Sequence, residues 1–239
     1  MAARRFAPFL AVLALAGLAS RADAECAAPR WAAHPLTTLG MTFPRTGGGF
    51  VVAMDVDMTS GTLPVADAPA ATVTRGRRTT WPIAAIAIAP GLYRYPFDVH
   101  ETRGIWTLHG IGADTTLTIG AGVAPGVPVR PAVREIRRVA ATGIGRAGQQ
   151  RIEVRATLEF PVPDGVIASI VTWNTDATPA AWARAAVGQR EVVLYTEPGH
   201  CGNAPPGWTS PPDGTLIAHV AWVDQLGQIS PVSEAITVQ

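Results

Sequence analysis

Hydrophobic and polar positions alternate with period two along most of the chain. The alternation is cleanest between Arg151 and Phe160, where Ile152, Val154, Ala156, Leu158 and Phe160 are set against Arg151, Glu153, Arg155, Thr157 and Glu159. That is the signature of a half-buried strand. The same period runs through Leu216, Ala218, Val220 and Trp222, but there the intervening Ile217, His219, Ala221 and Val223 are only partly polar. Shorter strand candidates lie at Leu39–Phe43, Phe50–Val56, Ala71–Arg75, Trp81–Ala89, Leu92–Tyr95, Ile105–Gly110 and Thr115–Ile119. Further on come Val133–Ala140, Val166–Trp173, Glu191–Tyr195 and Val232–Val238. Ile83, Ile86 and Ile88 are core candidates, as are Trp106 and Trp222 on their strands. Trp31–Pro35 reads as a loop-like lead-in. One segment, Pro179–Ala186, has the composition of a helical turn, with Pro179 at a tolerated first position. The pattern predicts an all-β chain of short strands, and 24 glycines and 21 prolines supply its turns.

The pattern divides the chain. Residues 1–24 read as an export signal. Arg4 and Arg5 are a basic start, Phe9–Leu18 an apolar run of ten residues, and Ala22-Asp23-Ala24 a cleavage site. The run is short of the ~20 residues that span a bilayer, so no transmembrane segment is expected after cleavage. The stretch from Gly120 to Pro128 is Pro/Gly-rich and reads as a linker of limited flexibility. This gives residues 25–128 as an amino-terminal immunoglobulin-like β-sandwich and residues 129–239 as a second sandwich.

The end of the chain carries a resemblance. A strand, then Val223-Asp224, Gly227, Ser230-Pro231 and Ser233, then another strand, resembles the last hairpin of a fibronectin type III domain. The resemblance covers roughly the last third of the chain, by the ~100 residues such a sandwich needs. It implies that residues 129–239 form a fibronectin III-like sandwich, which with the amino-terminal sandwich read from its strand pattern makes two tandem immunoglobulin/fibronectin III-like sandwiches. It implies nothing about function, because that architecture hosts adhesion, binding and spacer roles alike.

Charge narrows the partners. Without its first 24 residues the chain keeps 16 basic and 17 acidic residues, a net charge of −1, and it has no lysine. Phosphate binding needs a concentrated basic patch, so nucleic acid is not an expected partner. Lysine-free, Ala/Arg-rich usage with this type of signal points to a bacterial exported protein, periplasmic or extracellular, whose partner is an envelope protein or a glycan. Cys26 and Cys201 are the only cysteines. An even count in an exported chain favours a Cys26–Cys201 disulfide over two free thiols.

Candidate chemistry is sparse. There is no G-x-S-x-G elbow, and spacing ties none of His34, His100, His109, His200 or His219 to a serine. Asp98, His100 and Glu101 read as a polar loop. His200-Cys201 lacks the following histidine of a blue-copper site. Asp55 and Asp57 lack a calcium-loop frame. No cofactor is expected, and the reading is a non-enzymatic binding or structural module. A secreted hydrolase or metal enzyme using His100, His109 or His200 is the alternative. Trp182 and Trp208, in predicted loops, are the candidate exposed binding surface, suited to protein or sugar contact.

Overall fold

The structure, a computed structural model, describes residues 30–57, 68–76, 79–97, 103–144, 150–176, 178–198 and 207–239. Sixteen strands, and no helix, lie among them. The first nine are β1 (Arg30–Pro35), β2 (Thr42–Phe43), β3 (Gly49–Asp57), β4 (Ala71–Arg75), β5 (Thr79–Ile83), β6 (Ile86–Ala89), β7 (Leu92–Pro96), β8 (Gly104–His109) and β9 (Thr115–Ile119). The rest are β10 (Val133–Ile144), β11 (Gln150–Leu158), β12 (Val166–Trp173), β13 (Ala181–Arg184), β14 (Glu191–Thr196), β15 (Leu216–Asp224) and β16 (Ile236–Val238).

In the amino-terminal half a four-stranded sheet, β1-β3-β7-β6, faces a five-stranded sheet, β2-β9-β8-β4-β5. The first sheet and strands β9-β8-β4-β5 of the second follow the ABED/GFCC′ division of immunoglobulin sandwiches, with β2 added in parallel beside β9. Between the sheets, Phe50, Val52 and Tyr95 meet Val73, Trp106, Leu108 and Leu117. In the carboxy-terminal half one seven-stranded sheet, β13-β12-β15-β16-β10-β11-β14, folds over itself. Trp173, Val220 and Trp222 from its first part pack on Ile136, Val154 and Leu194 from its second. The seam between the parts is narrow: β16 pairs with β10 in parallel at Ile136 and Val238.

Several sequence expectations change here. Pro179–Ala186 is not a helical turn. It contains β13, paired with β12 so that Ile170 lies opposite Trp182, because Ala181 and Trp182 each have an apolar face to fill, and only a strand points them to opposite sides. Trp31–Pro35 is part of a strand, not a lead-in. The Trp81–Ala89 run is two strands in different sheets, β5 and β6, with the crossover at residues 84–85. That leaves Ile88 buried but Ile86 half exposed. Val232–Val238 narrows to β16. Upstream of it the Ser230 and Ser233 hydroxyls accept hydrogen bonds from the Trp222 and Val220 N–H groups, at 2.9 and 3.0 Å. The serines of the fibronectin-like motif thus stand in for ladder partners.

A third apolar core joins the halves. Val51, Ala53, Ile88, Ala89 and Leu92 leave the outer face of the four-stranded sheet and pack on Ala168, Ile170, Trp182, Ala221 and Val223. β3 and β15 are therefore buried on both faces, which is why neither alternates cleanly.

Candidate functional site

The junction between the halves is built by the loop after β15. Gly227, at φ +72°, turns it back. Leu226, 4% exposed, enters the core of the other half beside the Phe50 layer. Arg94 holds the loop, its Nε donating to the Leu226 carbonyl at 2.9 Å and its Nη2 to the Gly47 carbonyl at 3.1 Å. Thr37 Oγ1 donates to the Gln225 carbonyl at 2.7 Å. Asp224 fixes the loop from within: its Oδ1 accepts from the Leu226 and Gln228 N–H groups at 2.9 and 2.8 Å. Burial pushes the Asp224 carboxyl up from its ordinary range, against the pull of those N–H bonds and of the Arg94 charge.

The chain between the halves is pinned to the same junction. Arg45 N–H donates to the Gly122 carbonyl and Ala124 N–H to the Thr46 carbonyl, each at 2.8 Å. Gln228 Nε2 donates to the Pro125 carbonyl at 3.0 Å. Under this strap lies a cleft of about 700 Å³, within the ~300–1,000 Å³ of small-ligand sites. Its walls are largely apolar, with Met41, Phe43, Val123, Val127 and Leu226 among them, and the charged groups on its lining are Asp164 and Asp224. Val123 and Val127 are mostly exposed.

The tryptophan surface expected from the sequence is not exposed as a pair. Trp182 is 4% exposed, in the core between the halves. Trp208 is half-buried, its ring 5.9 Å from that of Tyr195 and its Nε1 donating to the Pro90 carbonyl at 3.1 Å. Both lie where the halves meet, and loop composition hides that. Trp106 and Trp222 are buried, as their alternation indicates. Cys26, Cys201, His100, His200, Asp98 and Glu101 lie outside the described residues, as do the side chains of Asp55 and Asp57. His34 is on β1 and His219 on β15, where its Nδ1 is 3.4 Å from the Ser233 carbonyl. His109 ends β8, with Nε2 2.9 Å from Thr74 Oγ1 and Nδ1 2.9 Å from Asp114 Oδ2. Among the described residues no three of His, Cys, Asp and Glu are grouped as metal ligands would be. The cleft escaped sequence reading because its lining comes from four separated stretches. Three exposed valines within seven residues, Val123, Val127 and Val129, were its one local signal.

No family model matches the chain, and no curated protein matches it either. Among solved structures it is similar to the FN1–FN3 domains of chicken CNTN1, at 11% identity and a TM-score of 0.25, covering 88% of this chain and 64% of that one. A tandem-domain fragment of titin matches at 14% identity and 0.23, covering 88% and 67%. The human OSCAR ligand-binding domain matches at 10% and 0.24, covering 87% and 98%. The chain thus spans about two thirds of the first two. At such scores the superpositions add nothing to the fold, which rests on the strand order itself.

Proposed function

We propose that this chain is an exported, non-catalytic binding module of a bacterial envelope, and that its ligand contact is the junction cleft. The observation that carries this reading is the cleft's composition: apolar walls, with carboxylates as its lining charges. Such a site suits a ligand with an apolar body and one positive group, as an extended segment of an envelope protein would supply. Sugar binding is less well supported, because Trp182 is buried and the half-buried Trp208 is left without it as a stacking pair. Export rests on the basic, apolar and Ala-x-Ala pattern of residues 1–24.

The test is titration of the protein with short synthetic peptides of four apolar residues carrying either one Arg or one Glu, followed by calorimetry. The Arg peptides are expected to bind and the Glu peptides not. Val127→Arg, a change at an exposed position, should abolish binding without altering the melting temperature. Equal binding of the two series, or binding unaffected by Val127→Arg, would remove the cleft from the function.

A further inference from the structure

The outer face of the five-stranded sheet carries a row of threonines. Thr116, Thr107, Thr74 and Thr80 lie opposite one another on four adjacent strands. One of them differs from the rest. Thr74 Oγ1 is 2.9 Å from His109 Nε2, and His109 Nδ1 is 2.9 Å from Asp114 Oδ2. A hydroxyl, an imidazole and a carboxylate in this order reproduce the nucleophile, base and orienting acid of hydrolytic triads, which are recognised by geometry and not by chain order.

The arrangement is held by the fold. β8 is fixed in register by the pairing of Thr72 with His109 and of Thr74 with Thr107. Gly110, at φ +90°, starts the turn, and a Cβ there would lie 2.2 Å from the Ala70 carbonyl. Buried Ile111 anchors the turn, and Thr115 Oγ1 donates to the Ala113 carbonyl at 2.9 Å. Asp114 is thereby returned beside His109. Its carboxylate accepts only a proton-bearing nitrogen, so a neutral His109 carries its proton on Nδ1 and presents the Nε2 lone pair to the Thr74 hydroxyl. The His109 side chain is 34% exposed and that of Asp114 is 65% exposed, so an external reagent has access.

We propose that Thr74, His109 and Asp114 form an acyl-accepting relay, in which Thr74 takes an acyl group from activated esters. Thr74 Oγ1 bonds to the acyl carbon, and its proton passes to His109 Nε2. The ester C–O bond then breaks, and the leaving oxygen takes that proton, returning neutral His109. β4 lies inside its sheet, between β8 and β5. Its backbone N–H groups are therefore directed at the ladder, and among the described residues β4 offers no free pair to an oxyanion. The relay accepts an acyl group from a good leaving group and does not turn over unactivated esters. Asp114 is a positioning residue that acts through His109. This site is separate from the junction cleft and does not depend on it.

The test is incubation with p-nitrophenyl acetate after any free thiol has been blocked, with the acetyl groups located by peptide mass spectrometry. The chain has no lysine to compete for the label. Thr107 and Thr116 share the face, with no imidazole partner among the described residues, and serve as internal controls. Thr74 is expected to be labelled at least about tenfold faster than either, a modest share of the ~10²–10⁴ that a positioned base gives. His109→Gln should bring Thr74 down to the level of Thr107. Long-range ¹H–¹⁵N spectra should show His109 protonated on Nδ1, and Asp114→Ala should release that tautomer and slow the labelling. Equal labelling of the three threonines in the unaltered protein would overturn the proposal, and that comparison needs no variant to fold. So would labelling that survives His109→Gln, or a His109 proton found on Nε2.

Discussion

Leu226→Ala probes the junction most directly, because Leu226 is encoded with the carboxy-terminal half and buried in the amino-terminal one. The substitution deletes three carbon groups. At ~0.8 kcal/mol for each buried group, the transfer term alone is about 2.4 kcal/mol. A cavity term follows, since the neighbouring Phe50 and Val52 belong to β3, which is packed on both faces and has little room to collapse. The sum is about 3–4 kcal/mol, inside the ~2–5 kcal/mol range for buried leucines. The bond from the Arg94 guanidinium to the Leu226 carbonyl survives the change, so the loss reports packing alone.

Equilibrium urea unfolding reads that loss as a lowered midpoint at unchanged slope. Ile229→Ala, on the same loop but 41% exposed, is the control and should cost under about 1 kcal/mol. Hydrogen exchange adds the location. Amides of β3 and β7 in the other half should exchange faster in Leu226→Ala, because the cavity opens there. A loss no larger than that of Ile229→Ala, or faster exchange confined to β12 and β15, would refute the placement of Leu226.

Gly227→Ala should cost about 1–2 kcal/mol for the left-handed backbone alone, and more because the new Cβ would lie 2.7 Å from Arg94 Cγ, forcing off the guanidinium that holds the loop; its melting temperature checks this. Trp182→Ala should lose about 3–5 kcal/mol as a buried tryptophan, whereas Trp208→Phe keeps a ring against Tyr195 and loses the bond to Pro90, about 0.5–1.5 kcal/mol; paired urea midpoints separate the two. Asp224→Asn keeps an Oδ1 acceptor for Leu226 and Gln228 and removes the titration. Because burial raises the folded carboxyl above its ordinary 3.8, the stability it contributes is full below that value and is lost as pH rises through the folded pKa. Asp224→Asn should therefore gain on the parent protein as pH rises through that window, and urea midpoints measured from acid to neutral pH test the sign.

The strands that face water on one side were legible in the sequence, and those buried on both sides were legible only as strands. Arg151–Phe160 alternates because the outer face of β11 is wet. Arg155 lies there between Glu153 and Glu191, at 2.6 and 2.8 Å. Phe50–Met54 and Val220–Val223 do not alternate, and that failure was itself the signal of a second covered face. Its partner could not be read, because a run of apolar residues states that something covers it and not what. The same ambiguity misled at Trp182. An Ala-rich segment after a proline suits a helix start by local propensity, and only the two cores on either side of β13 decide for a strand. The Thr74–His109–Asp114 set was invisible for another reason. Its members are 35 and 5 residues apart, and only the β4–β8 register and the turn at Gly110 bring them together.

Two-sided burial also determines how the junction behaves. Taken alone, the Pro/Gly strap between the halves has the composition of a linker. Yet opening there would uncover the ten apolar side chains of the third core. Even at roughly 1 kcal/mol each, below the ~1.5–3 kcal/mol of a fully buried large aliphatic residue, the cost is on the order of 10 kcal/mol. That matches the whole stability of a typical domain. Leu226 and its Arg94 clamp add to it. The strap is therefore a wall and not a hinge, and the cleft beneath it keeps its shape with no ligand present. A ligand entering it spends little on reorganising the protein. On the function proposed above, specificity would then come from the fit of an apolar body to the exposed valines and from the position of its cation relative to Asp164 and Asp224, and not from closure of one half upon the other.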